Sequence, residues 1–163
     1  MDRPSQPPLH PLLLQQSYWR NRLQELSLTR CSLLILPRPD LSSPFVDVEE
    51  FRARTYDGER FWGLKSRCLL RLESCRVRVR AVGPCDLPAV DPAVTDEGVV
   101  EYVFQELPGR RLEDRVLDTV RVARVAAERE GVPVDAIEFY ASGGASADEM
   151  RIAAQIVRLE PLD

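Results

Sequence analysis

A strand that runs into a turn of small residues, with a helix behind it, most constrains the fold of this chain. The strand Ala136–Tyr140 leads into Ala141-Ser142-Gly143-Gly144, and a helix is predicted from Ala147 to Arg158. Ser146 and Glu149 have the spacing of a capping box, in which each side chain satisfies a free amide at the helix start. The pattern therefore predicts a strand, a tight turn that carries a serine, and a helix.

The segment Leu112–Glu130 before this strand is the clearest helix in the sequence. Its apolar residues recur every three or four positions and form one stripe: Leu112, Val116, Val120, Ala123 and Ala127. Gly131 supplies a left-handed stop and Pro133 prevents continuation. A shorter amphipathic helix is expected over Ser17–Leu26, so helices flank the predicted strands.

The other strands come earlier in the chain. Asp57-Gly58 predicts a β-hairpin between Glu50–Tyr56 and Glu59–Leu64, because this dipeptide suits the positive φ angles of a two-residue type I′ turn. Further strands are expected over Leu69–Leu72, Arg76–Val82 and Val99–Leu107. In Arg76–Val82 arginine and valine alternate, which leaves one face wet and favours an edge or antiparallel strand. The chain is therefore expected to be an α/β or α+β protein.

Length and charge bound the class of protein. The 163 residues suit one domain, expected over residues 17–163, behind a proline-rich arm at residues 1–16. The net charge is −4 and acidic residues are interspersed among the basic ones, so we expect no nucleic-acid partner. No segment reaches the ~20 apolar residues of a membrane span. The arm lacks the charged start and long apolar core of a signal peptide. We therefore expect a cytoplasmic protein without a membrane partner.

The cysteines do not have the spacing of a metal site. Cys31, Cys68, Cys75 and Cys85 include no C-x-x-C pair, and the only histidine, His10, lies in the arm. We therefore expect no metal and no other cofactor. Cys68 and Cys75 either face each other across a tight hairpin or stay free thiols.

Several segments, taken in order, resemble those of one known family. They are the helix around Tyr18-Trp19, the strand pair at Asp57-Gly58, the helix segment Arg115–Arg121, and the turn at Ser142-Gly143-Gly144. The family is the acetyl xylan esterase and cephalosporin-C deacetylase branch of the α/β-hydrolases. In such enzymes the last of these segments is the nucleophile elbow, a strained turn that lifts a serine above the sheet.

The resemblance implies a partial α/β-hydrolase-like sheet with an N-terminal β-hairpin and flanking helices. It also implies that Ser142 is the catalytic nucleophile, that an acyl-serine intermediate forms, and that an acetylated carbohydrate is the ligand.

The chain departs from the family's pattern at the turn itself. Tyr140 replaces the first glycine of Gly-x-Ser-x-Gly-Gly, and an ungapped count from Ile137 puts the family's serine on Gly143. The turn after Gly83 has no histidine, and the acid and histidine of the triad would lie beyond the end of this chain. A serine hydroxyl without an adjacent base is a weak nucleophile. We therefore expect a divergent or truncated esterase-like protein that is inactive as this chain.

Two non-enzymatic interpretations compete with this one. The pattern around Asp118 and Arg121 resembles the peptidoglycan-binding domain of outer-membrane-protein-A type, in which these two residues would hold the ligand. A small α+β interaction protein would instead use Arg76–Val82 as an exposed strand edge, and could form a homo-oligomer through it. The secondary structure of Met150–Leu159 separates the hydrolase-like interpretation from the peptidoglycan-binding one. A helix there favours the hydrolase-like arrangement, and a strand favours peptidoglycan binding.

Overall fold

Three helices and six strands make up the described part of the chain. The computed structural model describes residues 16–28, 33–55, 57–69, 76–90 and 98–159. The helices are α1 (Gln16–Leu28), α2 (Leu112–Glu130) and α3 (Ala147–Ile156). The strands are β1 (Leu34–Pro37), β2 (Val46–Arg54), β3 (Arg60–Cys68), β4 (Arg76–Val82), β5 (Val99–Gln105) and β6 (Glu138–Ser142), and a 3-10 turn (Val134–Ala136) precedes β6. Residues 1–15, Cys31, Cys75 and most of the predicted strand Leu69–Leu72 lie outside the described residues.

The six strands form one mixed sheet. Their order is β1-β2-β3-β5-β4-β6. The pairs from β1 to β5 are antiparallel, whereas β4 is parallel to both of its neighbours, β5 and β6. Parallel neighbours require a crossover, and α2 carries the chain from β5 past β4 to β6. The sheet and its flanking helices confirm the α/β class expected from the sequence.

One apolar core joins the helices to one face of the sheet. Alternate sheet residues such as Val79, Tyr102 and Phe104 pack with Trp19 of α1 and Val120 of α2 in this core. The predicted bounds of α2 are confirmed at both ends, and Gly131 ends the helix with φ 66° and an N–H that donates to the Ala127 carbonyl oxygen. Within the described residues, none of the helices is both long and apolar enough to cross a membrane.

The prediction that Arg76–Val82 is an edge or antiparallel strand is wrong. This segment is β4, which lies inside the sheet between two parallel neighbours. Its arginines point away from the apolar core and form ion pairs, Arg80 with Glu101 at 2.9 Å and Arg76 with Glu138 at 2.8 Å. Carboxylates on the adjacent strands therefore balance the charge of these arginines, whose side chains stay partly exposed. Because both sides of β4 are paired, it offers no free edge for a homo-oligomer.

The hairpin at Asp57-Gly58 is present, but its loop differs from the predicted type I′ turn. The Thr55 N–H donates to the Glu59 carbonyl oxygen at 2.8 Å, which leaves three residues in the loop. Gly58 has φ 88°, whereas Asp57 does not have a positive φ and bonds to the Thr55 hydroxyl through its side chain. A type I turn followed by a left-handed glycine is typical of three-residue hairpin loops.

Gly63 on β3 provides a test of the packing between the sheet and its core. A Cβ at this position would lie 2.2 Å from the Val103 carbonyl oxygen and 2.4 Å from Phe51 Cζ. We expect Gly63→Ala to lower the free energy of unfolding by about 1–3 kcal/mol, the usual cost of overpacking, in urea denaturation. Gly144→Ala is the control, since a Cβ there would meet no atom closer than 3.9 Å. Equal losses in the two variants would contradict the described packing.

Candidate functional site

The carboxyl ends of β4 and β6 lie side by side in the sheet. From β4 the chain crosses to β5 on one side, whereas β6 lies on the other side of β4. In open α/β sheets, ligands bind outside the strand ends where the direction of the connections reverses in this way. Gly83 after β4 and Gly144 after β6 come so close that a Cβ on Gly83 would lie 3.0 Å from Gly144 Cα. The place where these two loops meet, which we call the crevice, is therefore the candidate functional site.

In the turn after β6 the positive φ belongs to Gly143, and not to Ser142. We call this the strained position, because a positive φ is unfavourable for residues other than glycine. The Ala145 N–H donates to the Ser142 carbonyl oxygen at 3.2 Å, which closes a four-residue turn. Gly143, the second residue of this turn, has φ 62°, and no described residue other than glycine has a positive φ. A positive φ at that position is typical of the primed turns and costs glycine little. The ungapped count that puts the family's serine on Gly143 thus coincides with the strained residue.

The Asp86 carboxylate fills the space above this turn. A Cβ on Gly143 would lie 2.2 Å from Asp86 Oδ2, and the Gly144 N–H donates to the same oxygen at 3.1 Å. Gln105 fixes the loop that carries Asp86, because its Nε2 donates to the carbonyl oxygens of Pro84 and Asp86 at 2.9 and 2.7 Å. In α/β-hydrolases the amide after the nucleophile belongs to the oxyanion hole. With Gly143 at the family's serine position, the amide that follows it is the Gly144 N–H, which is bonded to a carboxylate of the chain itself.

Ser142 lies below the turn, on the face of the sheet that carries the β4 arginines. It is the last residue of β6, paired with Val82, and its side chain is half-buried. Its Oγ accepts a hydrogen bond from Arg80 Nη1 at 3.1 Å. Arg80 also donates to Glu101 Oε1 at 2.9 Å and to the Ala89 carbonyl oxygen at 2.7 Å, so the guanidinium is held on three sides. The catalytic role expected for Ser142 stays a prediction.

Glu149 is not a helix cap, contrary to the predicted capping box. Ser146 is the N-cap of α3 but makes no side-chain capping hydrogen bond. Glu149 is fully buried, with its Oε1 2.9 Å from Arg115 Nε, and its carboxyl lies against that of Glu106. Burial raises the pKa of Glu106 to about 8, and the neighbouring Glu149 carboxyl acts in the same direction. Two carboxyls that share a buried site cannot both ionise cheaply, so Glu106 holds a proton at neutral pH.

Asp118 and Arg121 are engaged within the chain. Arg110 donates to both oxygens of Asp118, at 2.9 and 3.1 Å, and also pairs with Asp57 at 2.6 Å. Arg121 is buried and donates to two backbone carbonyl oxygens at 3.1 and 3.2 Å. Burial raises the pKa of Asp118 to about 7, against the opposing effect of Arg110. These contacts, and the helical start of Met150–Leu159, give no support to the peptidoglycan-binding interpretation.

The comparisons with known proteins define the class of fold. The sequence matches no known family profile and no curated protein. The structure is similar to an acetyl xylan esterase from Paenibacillus sp. R4, with a TM-score of 0.66 and 15% identity over 83% of this chain and 54% of that one. It is also similar to acetyl xylan esterase 1 from Thermoanaerobacterium sp. JW/SL YS485, with a TM-score of 0.67 and 13% identity over 90% of this chain and 56% of that one.

The chain thus has an esterase-like α/β fold. It spans about half the length of the two esterase structures, 54% of one and 56% of the other. At identities of 15% and 13% the similarity concerns the fold alone.

The acid pair Glu106–Glu149 makes a prediction for the pH dependence of stability. The pKa of Glu106 is about 8 in the folded protein, against 4.5 for an ordinary glutamate. The folded state therefore binds more protons than the unfolded state between these values, so the free energy of unfolding falls as the pH rises through this range. In Glu106→Gln the fall between pH 5 and pH 8 should be smaller than in wild type by about 3 kcal/mol, measured by urea denaturation.

The control for this experiment is Glu128→Gln, a substitution at an exposed position of α2. It should leave the pH dependence of wild type unchanged. If Glu106→Gln also keeps the wild-type dependence, Glu106 does not hold a proton in the folded protein at neutral pH.

Proposed function

We propose that this chain is a divergent esterase-like α/β-hydrolase that does not cleave esters through Ser142 and acts by binding a ligand. The observation that carries the proposal is the Asp86 carboxylate at the turn, where Gly143 has no side chain and the Gly144 amide is already bonded. The esterase structures of similar fold are named for acetylated xylan, so an acetylated carbohydrate is the class of ligand we propose. The cytoplasmic location stays a prediction.

The position of Asp86 opposes ester hydrolysis on electrostatic grounds. Acyl transfer develops a negative charge on the substrate oxygen, and enzymes stabilise that charge with hydrogen-bond donors aimed at it. In this chain the Asp86 carboxylate accepts a hydrogen bond from the Gly144 N–H at 3.1 Å. A second negative charge forming beside Asp86 would be repelled, and the amide would have to leave its present partner. The crevice therefore favours binding over catalysis of this kind.

The surroundings of Ser142 support the same proposal. A serine becomes a nucleophile when a neighbouring base takes its proton. The partner of Ser142 Oγ is the guanidinium of Arg80, at 3.1 Å, and an arginine side chain has no lone pair with which to accept a proton. The only histidine in the sequence, His10, falls outside the described residues.

Covalent labelling tests the proposed lack of activity. Wild type and Ser142→Ala should give the same background signal with a fluorophosphonate probe and the same background turnover of an aryl acetate. Acetylated xylo-oligosaccharide should be bound without release of acetate, with binding followed by tryptophan fluorescence and acetate by NMR. Labelling that disappears in Ser142→Ala would show an active esterase and overturn the proposal.

A double-mutant cycle tests whether Asp86 occupies the turn. Gly143→Ala introduces a Cβ 2.2 Å from Asp86 Oδ2 and also strains a left-handed backbone. The strain is present in any background, whereas the clash disappears with Asp86→Gly. We therefore expect Gly143→Ala to cost about 1 kcal/mol less in the Asp86→Gly protein than in wild type, measured by urea denaturation. Additive effects would place the Asp86 carboxylate elsewhere.

A further inference from the structure

A cavity lies on the antiparallel half of the sheet, away from the crevice. Its volume is about 510 Å³, within the range of roughly 300–1,000 Å³ for small-molecule sites. It spans β1, β2 and β3, and the residues that line it include Leu34, Glu50, Arg52, Arg54, Arg60 and Trp62. None of the crevice residues lines it.

The register of the strands arranges these side chains in two rows. Leu34, Arg52 and Trp62 lie opposite one another across the three strands. In the next row of the same face, Arg54 and Arg60 lie directly opposite each other on the β2–β3 ladder. The indole ring of Trp62, the apolar side chain of Leu34 and a pair of guanidinium groups therefore line the same cavity.

The two opposed arginines leave positive charge unbalanced in this cavity. Like charges directly opposite on a sheet are destabilising. Both Arg54 and Arg60 are exposed, and within the described residues no carboxylate pairs with either guanidinium. Arg52 differs, because its Nε donates to Glu50 at 2.8 Å. Glu50 also accepts from Arg38 at 3.0 Å, so its charge is already matched.

We propose that this cavity binds a phosphate monoester with a ring-shaped organic body. The phosphate lies between Arg54 and Arg60, and the ring packs against Trp62 and Leu34. A phosphate monoester carries about −1.5 to −2 charges at neutral pH, which matches two guanidinium groups better than a single carboxylate does. The planar fork of arginine bonds phosphate oxygens in pairs, and an indole face offers apolar contact to a ring. This site does not depend on the proposed lack of esterase activity, because the two sites share no residue.

Calorimetric titration with phenyl phosphate tests the site, with inorganic phosphate and phenol as partial probes. Phenyl phosphate should bind at one site per chain, and each partial probe should bind at least about tenfold more weakly. Arg54→Gln and Arg60→Gln should each weaken phenyl phosphate at least about tenfold, the loss expected for a charge-assisted hydrogen bond. Trp62→Leu should weaken phenyl phosphate and leave inorganic phosphate unchanged. Arg151→Gln, an exposed α3 position outside the cavity, is the control and should bind as wild type does.

Thermal unfolding without ligand separates a lost site from a lost fold. Each single arginine substitution removes a like-charge contact, so Arg54→Gln and Arg60→Gln should melt at or above the wild-type temperature. A concentration of about 10 mM is far above the Kd of a specific binding site. Failure of phenyl phosphate to bind wild type at this concentration would overturn the proposal. Equal affinities in Arg54→Gln, Arg60→Gln and Arg151→Gln would also overturn it. Benzoate binding as tightly as phenyl phosphate would reject the preference for a phosphate.

Discussion

Pairing between arginines and buried carboxylates allows β4 to lie inside the sheet. Glu101 on β5 is fully buried, and it accepts from Arg80 at 2.9 Å and has Arg78 at 3.8 Å. A buried carboxylate without a partner costs several kcal/mol, and the pairing with these two β4 residues offsets part of that cost for Glu101. Since β4 joins β5 to β6, the crevice at the strand ends depends on the same contacts. Arg80 links the two directly, because it also donates to Ser142.

Sequence reasoning succeeded where the signals are local and failed where they depend on partners distant in the chain. The bounds of α2 follow from its apolar stripe and from Gly131, which are all contained in one segment. The alternating arginines of β4 are equally compatible with solvent and with carboxylates on neighbouring strands, so the pattern alone could not place the strand. Glu149 has the spacing of a cap, but a buried ion pair with Arg115 competes for it and is invisible in a short window of sequence.

The crevice shows the same limit at a single residue. The residue type pointed to Ser142, the one hydroxyl in Ala141-Ser142-Gly143-Gly144, whereas the backbone gives the strained position to Gly143. A glycine in a turn is a local signal for a positive φ. The ungapped count from Ile137, which put the family's serine on Gly143, identified this glycine. No local sequence signal pointed to Asp86, because 58 positions separate it from Gly144, whose N–H donates a hydrogen bond to its carboxylate. Only the adjacency of β4 and β6 in the sheet brings the two together.

The cavity and the crevice belong to different halves of the sheet, but a chain of charges connects the cavity to the helical layer. Asp57, in the loop that joins Arg54 to Arg60, pairs with Arg110 at 2.6 Å, and Arg110 holds Asp118 of α2. An anion that relieves the repulsion between Arg54 and Arg60 therefore stabilises a hairpin that is tied to the core. A ligand bound only by the folded state stabilises that state by RT ln(1 + [L]/Kd). Its effect would consequently appear in the unfolding of the whole domain, and not in the hairpin alone.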